Sequence, residues 1–472
     1  MLLNHKEVRG GEGGGRWWAC GTVSCMVWAP GMVWARAWRR WQRWACVAVA
    51  VILGAWLLLA APCALLACPP QDSEDSPSDA TEEPRQHDDP AHLMCTSFTF
   101  VPSGQRRVSR SSPQLGESSP YSVVYDWLPA AQTFTLNESV TYTTHTTPEM
   151  IAHVAALASR WTGPISVALF VPHSDFCLAA ARVAYLRVCG PPAVKERVSW
   201  HIFWPRDAPP AADWHLIVKE NTIDCNADKT SLVRGYRATE VLPYPVNVAR
   251  NVARVAAPTW FVLPSDVELY PSHGLVDQFL ALVQRINSGK ERRVSAASPR
   301  VFVVPVFEVA AVVPTDKEEL VQQYHQKDAV YFHRHVCAHC QRFPALTDWI
   351  RQPGKSGILK VFSVVKRQFP YHRWEPIYIC TKDEPLYDER LSWEGLQDKM
   401  TQMHELCLRD YNFVILDRAF LVHAPGIKKR NKNKAKDEAW RDPFVAKNSI
   451  IYDQIMEEMQ NKFGQSEKCR RH

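Results

Sequence analysis

Between residues 149 and 219, short apolar runs alternate with stretches of helical period, and this alternation constrains the fold more than any other feature of the chain. A helix-like segment at 149–161 leads to Ile165-Ser-Val-Ala-Leu-Phe-Val171. A helical segment at 175–188 leads to a run at 198–204, and a further run follows at 214–219. Strands connected through helices pair in parallel, so the pattern predicts an α/β domain with a mostly parallel central sheet flanked by helices. Ligands of such sheets collect just beyond the carboxyl ends of the strands. The later run Phe261-Val-Leu-Pro-Ser-Asp-Val-Glu-Leu-Tyr270 stops abruptly at two carboxylates. Because side chains alternate along extended backbone, Asp266 and Glu268 can point the same way off a strand end and hold a divalent cation. The plainer alternative is a pair of solvated loop acids.

The N-terminal part reads differently. Residues 44–67 run for 24 residues without a charge, enough helix to cross a bilayer of about 30 Å at roughly 1.5 Å per residue. Arg36, Arg39, Arg40 and Arg43 precede it and acids follow, which orients the N-terminus toward the cytoplasm. The layout expected is a cytoplasmic tail (1–43), a transmembrane signal anchor (44–67), a flexible stem (68–120) and a folded domain (121–472). A cleaved signal peptide competes with the anchor, but its apolar region is usually only ~7–15 residues. Residues 69–90 are mostly Asp, Glu, Ser and Pro and lack the apolar surface to fold. The net charge of +6 is modest and uneven, so it argues neither for nucleic-acid binding nor for disorder throughout. The nine cysteines from Cys95 onward are an odd set. In an oxidising compartment one must stay free, pair with Cys68, or pair with another chain. Asn137-Glu-Ser139 is an N-glycosylation sequon, meaningful only if it faces a lumen.

Further candidates follow the helical segment at 246–257. Its Asn247, Arg250, Asn251 and Arg254 fall at i, i+3, i+4 and i+7, so they share one face. That face is either solvated or meets a diphosphate or sugar carboxylate, for which a guanidinium is suited. A strand with Pro305 inside it is expected at 300–307. His333, His335, Cys337, His339 and Cys340 crowd eight residues, yet no second cluster completes a closed zinc site. Disulfide bonding or buried thiols are favoured there. A strand at 374–379 precedes a loop at 381–389 with four acids, then a helix at 393–408, a strand at 412–416, and an apolar run closed by His423. The basic stretch 428–436 reads as a solvated loop, and a helix at 447–463 follows.

Five ordered blocks resemble the β-1,4-glucuronyltransferase and LARGE-type glycosyltransferases, glycosyltransferase family 49. They are Tyr244-Pro-Val-Asn-Val-Ala-Arg-Asn-Val-Ala-Arg254, Phe261-Val-Leu-Pro-Ser-Asp-Val-Glu268, Trp374-Glu-Pro-Ile-Tyr378, Pro385-Leu-Tyr-Asp-Glu-Arg390 and residues 413–423, across roughly 120–465. The resemblance implies a GT-A-type fold in a type II Golgi membrane enzyme whose catalytic domain is luminal. It also implies a UDP-sugar donor, with UDP-glucuronate first, a glycan acceptor on a glycoprotein, and Mn²⁺ or Mg²⁺. Asp266, Glu268 and His423 would be the metal ligands, and Arg250 and Asn251 the donor contacts. A β-linked product from an α-linked donor requires inversion and a general base. Asp388 or Glu389 is expected in that role, with Asp383 and Glu384 as alternatives. Two departures stand out: Glu268 replaces the second aspartate of an Asp-x-Asp motif, and residues 391–399 differ from the Arg-Phe and Tyr-Gly-Phe-Asn-Lys of relatives. A catalytically silent Golgi protein of this fold, acting as partner or chaperone of another transferase, is the alternative.

Overall fold

A computed structural model describes residues 99–471 apart from 103–107, 110, 227–234, 296, 353–356 and 430–437. The expected tail, anchor and most of the stem lie outside the described residues, among which no helix is long and apolar enough to cross a membrane.

In chain order the described residues form β1 (Phe100–Pro102), β2 (Val108–Ser109), β3 (Tyr121–Leu128) and β4 (Val140–Thr146). Helix α1 (His153–Arg160) leads to β5 (Ile165–Phe170), α2 (Asp175–Cys189) leads to β6 (Val198–Pro205), and β7 (Leu216–Val218) precedes α3 (Val246–Ala256). There follow β8 (Phe261–Pro264), β9 (Leu269–Pro271), α4 (Leu275–Asn287), β10 (Arg300–Val303), β11 (Val306–Val309), β12 (Ala329–Tyr331), β13 (Lys360–Val365) and β14 (Tyr378–Thr381). The last long elements are α5 (Met400–Leu408), β15 (Asn412–Asp417), β16 (Leu421–His423) and α6 (Asp442–Phe463).

Ten strands form one sheet in the order β13, β15, β10, β14, β8, β4, β5, β6, β3, β2. The run β8, β4, β5, β6 is parallel, as is β10 with β15. The other neighbours are antiparallel. The sheet is therefore mixed rather than mostly parallel. Parallel pairing holds where α1 and α2 carry the chain back across the sheet, and it fails at β14, which enters between β8 and β10 with no such crossover. An apolar run reports burial, not direction, so the sequence pattern could not distinguish the two.

A second sheet, ordered β12, β11, β16, β9, lies beyond the first. Three times the chain leaves the large sheet and enters the small one within five residues: β8 to β9, β10 to β11, and β15 to β16. The expected single strand at 300–307 is one of these crossings. Pro305 has no N–H for a ladder, and its carbonyl instead accepts from Leu421 N–H at 2.8 Å. Asp266 and Glu268 sit in the first crossing, and His423 ends the strand of the third.

Large side chains lock these layers. Trp127, Tyr142, Trp161, Trp200 and Phe176 are essentially inaccessible in one core, and Phe307, Trp349, Trp374 and Phe413 in another. Each such burial stabilises by roughly 1.5–3 kcal/mol. Disulfides Cys189–Cys225 and Cys407–Cys469 staple the periphery, and Cys380 is a free buried thiol.

The expected helix at 393–408 begins only at Met400. Residues 393–399 are a loop in which Leu396 and Gln397 take φ of 61° and 58°. Asn448 of α6 holds it, donating to the carbonyls of Ser392 and Leu396 at 2.9 Å each. Gly395 lets α6 approach this closely, since a Cβ there would lie 2.1 Å from Asn448 Cγ.

Candidate active site

At the carboxyl ends of β4 and β8 opens a cavity of about 800 Å³. That is within the size range of ligand sites, roughly 300–1,000 Å³. Four carboxylates line it: Asp266, Glu268, Glu375 and Asp398. Arg250, Lys399 and His145 stand among them, and Cys337, Cys340, Trp393 and Leu396 form other parts of the wall.

Asp266 is the most heavily paired of the four. His145 Nε2 is 3.3 Å from Oδ1, Arg250 is 3.5 Å from the same oxygen, and Lys399 Nζ is 3.8 Å from Oδ2. Burial opposes ionisation, but Lys399, a hydrogen bond from His145, and Arg250 hold this carboxyl well below the usual range. Glu268 goes the other way. Burial and the charge of Asp266 push it above the usual range. The protein's own cations thus neutralise one acid and leave the second repelled, a deficit that a divalent cation would fill.

His423 lies beside this pair on the small sheet, opposite Leu269 in the β16–β9 register. Ala424 N–H donates to the carbonyl of Glu268 at 2.8 Å. The ring's Nδ1 lies 2.7 Å from the Ala424 carbonyl, which can only accept, so Nδ1 carries the proton and Nε2 keeps its lone pair. Burial lowers its pKa and favours the neutral imidazole. Two carboxylates and a neutral imidazole suit Mn²⁺ or Mg²⁺ by donor type. Asp266 and Glu268 stand in the first crossing and His423 ends the strand after the third, and the three do not close as tightly as Cys337, His339 and Cys340, whose ligand atoms lie within 4.8 Å of one another. The sulfurs of Cys337 and Cys340 are already joined in a disulfide, the first of the two alternatives to zinc.

Helix α3 carries the polar stripe anticipated from spacing, but the stripe is buried. Asn247 donates to the carbonyls of Asp388 and Asp398 at 2.8 Å each. Asn251 donates to the Tyr387 carbonyl at 2.8 Å and accepts from the Tyr387 N–H at 2.9 Å. Arg254 donates to the carbonyls of Pro385 and Glu384. The stripe is a rail on which residues 384–398 are hung. Arg250 alone of these four lines the large cavity, where it pairs with Asp398 and Asp266. Asn251, expected as a donor contact, instead fixes backbone behind the cavity wall.

Neither expected base lines the cavity. Asp388 is gripped by Arg390 through Nε at 2.9 Å and a terminal nitrogen at 2.7 Å, and Arg390 also reaches Glu458. Glu389 accepts from Ser112 Oγ at 2.6 Å, the N–H groups of Gln114 and Leu115 at 3.1 Å each, and Asn251 at 2.9 Å. Residues 112–115, assigned to the stem from composition, are thus fixed onto the domain. Glu384 is buried and bonded to Thr381, and Asp383 is exposed.

Glu375, Asp398, Lys399 and His145 are site residues that sequence reasoning missed. Glu375 lies inside the quoted Trp374-Glu-Pro block, and Asp398 and Lys399 close the stretch that departs from relatives, but nothing in their spacing marks chemistry. Burial pushes Glu375 above the usual carboxylate range against the pull of Lys399. Asn137 is exposed in a turn, while Ser139 of its sequon is buried.

A sequence profile of the family described as "Glycosyl-transferase for dystroglycan" matches residues 139–464. Beta-1,4-glucuronyltransferase 1 of Danio rerio is 30% identical over 337 residues, covering 68% of this chain and 74% of that protein. The Homo sapiens protein of the same name is 28% identical over 386 residues, 78% of this chain and 88% of that one. The xylosyl- and glucuronyltransferase LARGE2 of Rattus norvegicus is 25% identical over 294 residues, 61% of this chain but 34% of the relative.

Proposed function

Since the chain belongs to this family of glycosyltransferases for dystroglycan, we propose that it transfers glucuronic acid from UDP-glucuronate to a xylose-terminated glycan with inversion at the anomeric carbon. The acceptor would be an O-mannosyl glycan of a dystroglycan-like glycoprotein. The enzyme would sit in the Golgi membrane through residues 44–67 with its catalytic domain in the lumen.

The observation that carries this reading is the cavity at the sheet crossing, where Asp266 meets Arg250 and Lys399 and Glu268 stands unmatched beside it. Asp266, Glu268 and His423 would hold Mn²⁺, or Mg²⁺ in its place; bound there, the ion neutralises charge on the departing diphosphate. Arg250 and Lys399 supply the remaining positive charge, either to the diphosphate or to the carboxylate of the transferred sugar. Held between Asp266 and Asp398, the Arg250 guanidinium is oriented before the donor arrives, so little ordering remains for binding to accomplish.

The test uses the full-length chain with Mn²⁺, UDP-glucuronate and a β-xyloside. The expected result is UDP release coupled to a glucuronylated xyloside, lost on chelation. Absence of turnover with every UDP-sugar would overturn the proposal.

A further inference from the structure

We infer that Glu375 is the general base that accepts the proton of the attacking acceptor hydroxyl. This rests on the inverting transfer proposed above, which needs one carboxylate free to face the acceptor. Of the four carboxylates lining the cavity, two are paired with protein cations, and a third stands where the proposed metal would bind. Asp266 is shared among His145, Arg250 and Lys399. Asp398 is paired with Arg250. Glu268, like Glu375, has no side-chain partner among the described residues, but in the function proposed above it would be a metal ligand with Asp266 and His423.

Glu375 carries no hydrogen bond or ion pair on its side chain among the described residues, although it is half-buried in the cavity wall. Buried or half-buried carboxylates ordinarily acquire protein donors, as Asp388 and Glu389 do here. One left without them on the wall of a substrate cavity is free to accept from the substrate.

Its mount is rigid. The Glu375 N–H donates to the Cys340 carbonyl at 2.8 Å, and its carbonyl accepts from Gln341 Nε2 at 2.7 Å. Trp374 before it is buried, and Pro376 after it restricts its backbone to extended conformations. Lys399, Asp398, Arg367 and Arg250 are the charged groups acting on it. The step balances without a co-reactant. The hydroxyl O–H bond breaks and its proton passes to the Glu375 carboxylate. The oxygen bonds to the anomeric carbon, and the bond to the diphosphate breaks, with its electron pair leaving on UDP.

The test compares wild type, E375Q and E375D in the full-length chain. E375Q should bind UDP by calorimetry as wild type does, lose about 10²–10⁴-fold in kcat, and lose the acidic limb of the pH–rate profile; E375D should recover part of the rate. A β-xyloside carrying a thiol in place of the attacking hydroxyl ionises near pH ~8.5 without help. E375Q should transfer to it within about tenfold of wild type. Turnover by E375Q with the ordinary xyloside at the wild-type rate would overturn the assignment alone. Loss of UDP binding in E375Q, or equal loss of transfer to hydroxyl and thiol, would mark a structural residue and also overturn it. A wild-type protein inactive with every UDP-sugar would overturn the transfer reading and this assignment together.

Discussion

Two acidic pairs in this molecule look interchangeable as sequence and have opposite surroundings. Asp388 accepts three bonds, all from Arg390, and Glu389 accepts four from separate donors. Asp266 and Glu268 border a large cavity, and only the first is matched by protein cations. A carboxylate with all its lone pairs occupied holds structure together; one with unmatched charge beside open space is available for chemistry. The comparison can be broken at several points.

The largest effect is expected from Asp266→Ala. Transfer should fall by about 10³-fold or more and Mn²⁺-dependent UDP binding should vanish, measured by UDP release and calorimetry. Undiminished turnover would mean that the site lies elsewhere.

Asp175 extends the comparison to an acid that does not itself line the cavity. It is fully buried and accepts from the N–H groups of Tyr236 and Arg237 at 2.7 and 3.1 Å, yet burial pushes it up to about 6. The folded value lies above the unfolded one, so between about pH 4 and pH 6 the unfolded chain ionises first. Stability should decline across that interval by on the order of 3 kcal/mol. Denaturant titrations of wild type and Asp175→Asn check this; an equal slope in both would remove Asp175 as the cause.

Glu389→Gln should cost about 1–3 kcal/mol of stability and loosen residues 112–115 to proteolysis, while the folded fraction keeps its kcat within a few-fold. A stable Glu389→Gln protein with no transfer would reverse the roles of the two pairs. Gly395→Ala pushes a methyl group into Asn448, at about 1–3 kcal/mol, and should raise the acceptor KM more than it lowers kcat. Smallest of all, Glu268→Asp should preserve or raise Mn²⁺-dependent activity; its loss would show that the extra methylene is required.

The parallel strands and their helices were legible because hydrophobic period is a local property. The site was legible in part. Asp266, Glu268 and His423 lie at strand ends, where the chain's own pattern stops. Asp388 and Glu389 stand off the cavity, and what bonds them there arrives from residues 112–115, Arg390 and Asn251, contacts without a sequence signature. Glu375 was missed for the converse reason, since the lack of partners cannot be read from a string of letters. The stripe on α3 was visible as a stripe, but whether it met water, ligand or the segment 384–398 depended on tertiary packing.

The three short passages from large sheet to small sheet have a consequence for motion. The acid pair stands between two hydrogen-bonded ladders, so its backbone cannot open without breaking both. Amide protons of β8, paired on both sides, should exchange with solvent only through global unfolding, whereas the wall at 393–399, tethered by Asn448, should exchange through local opening. On the function proposed above, the floor that would hold the donor is thereby among the slower parts of the molecule, and the wall at 393–399 among the faster.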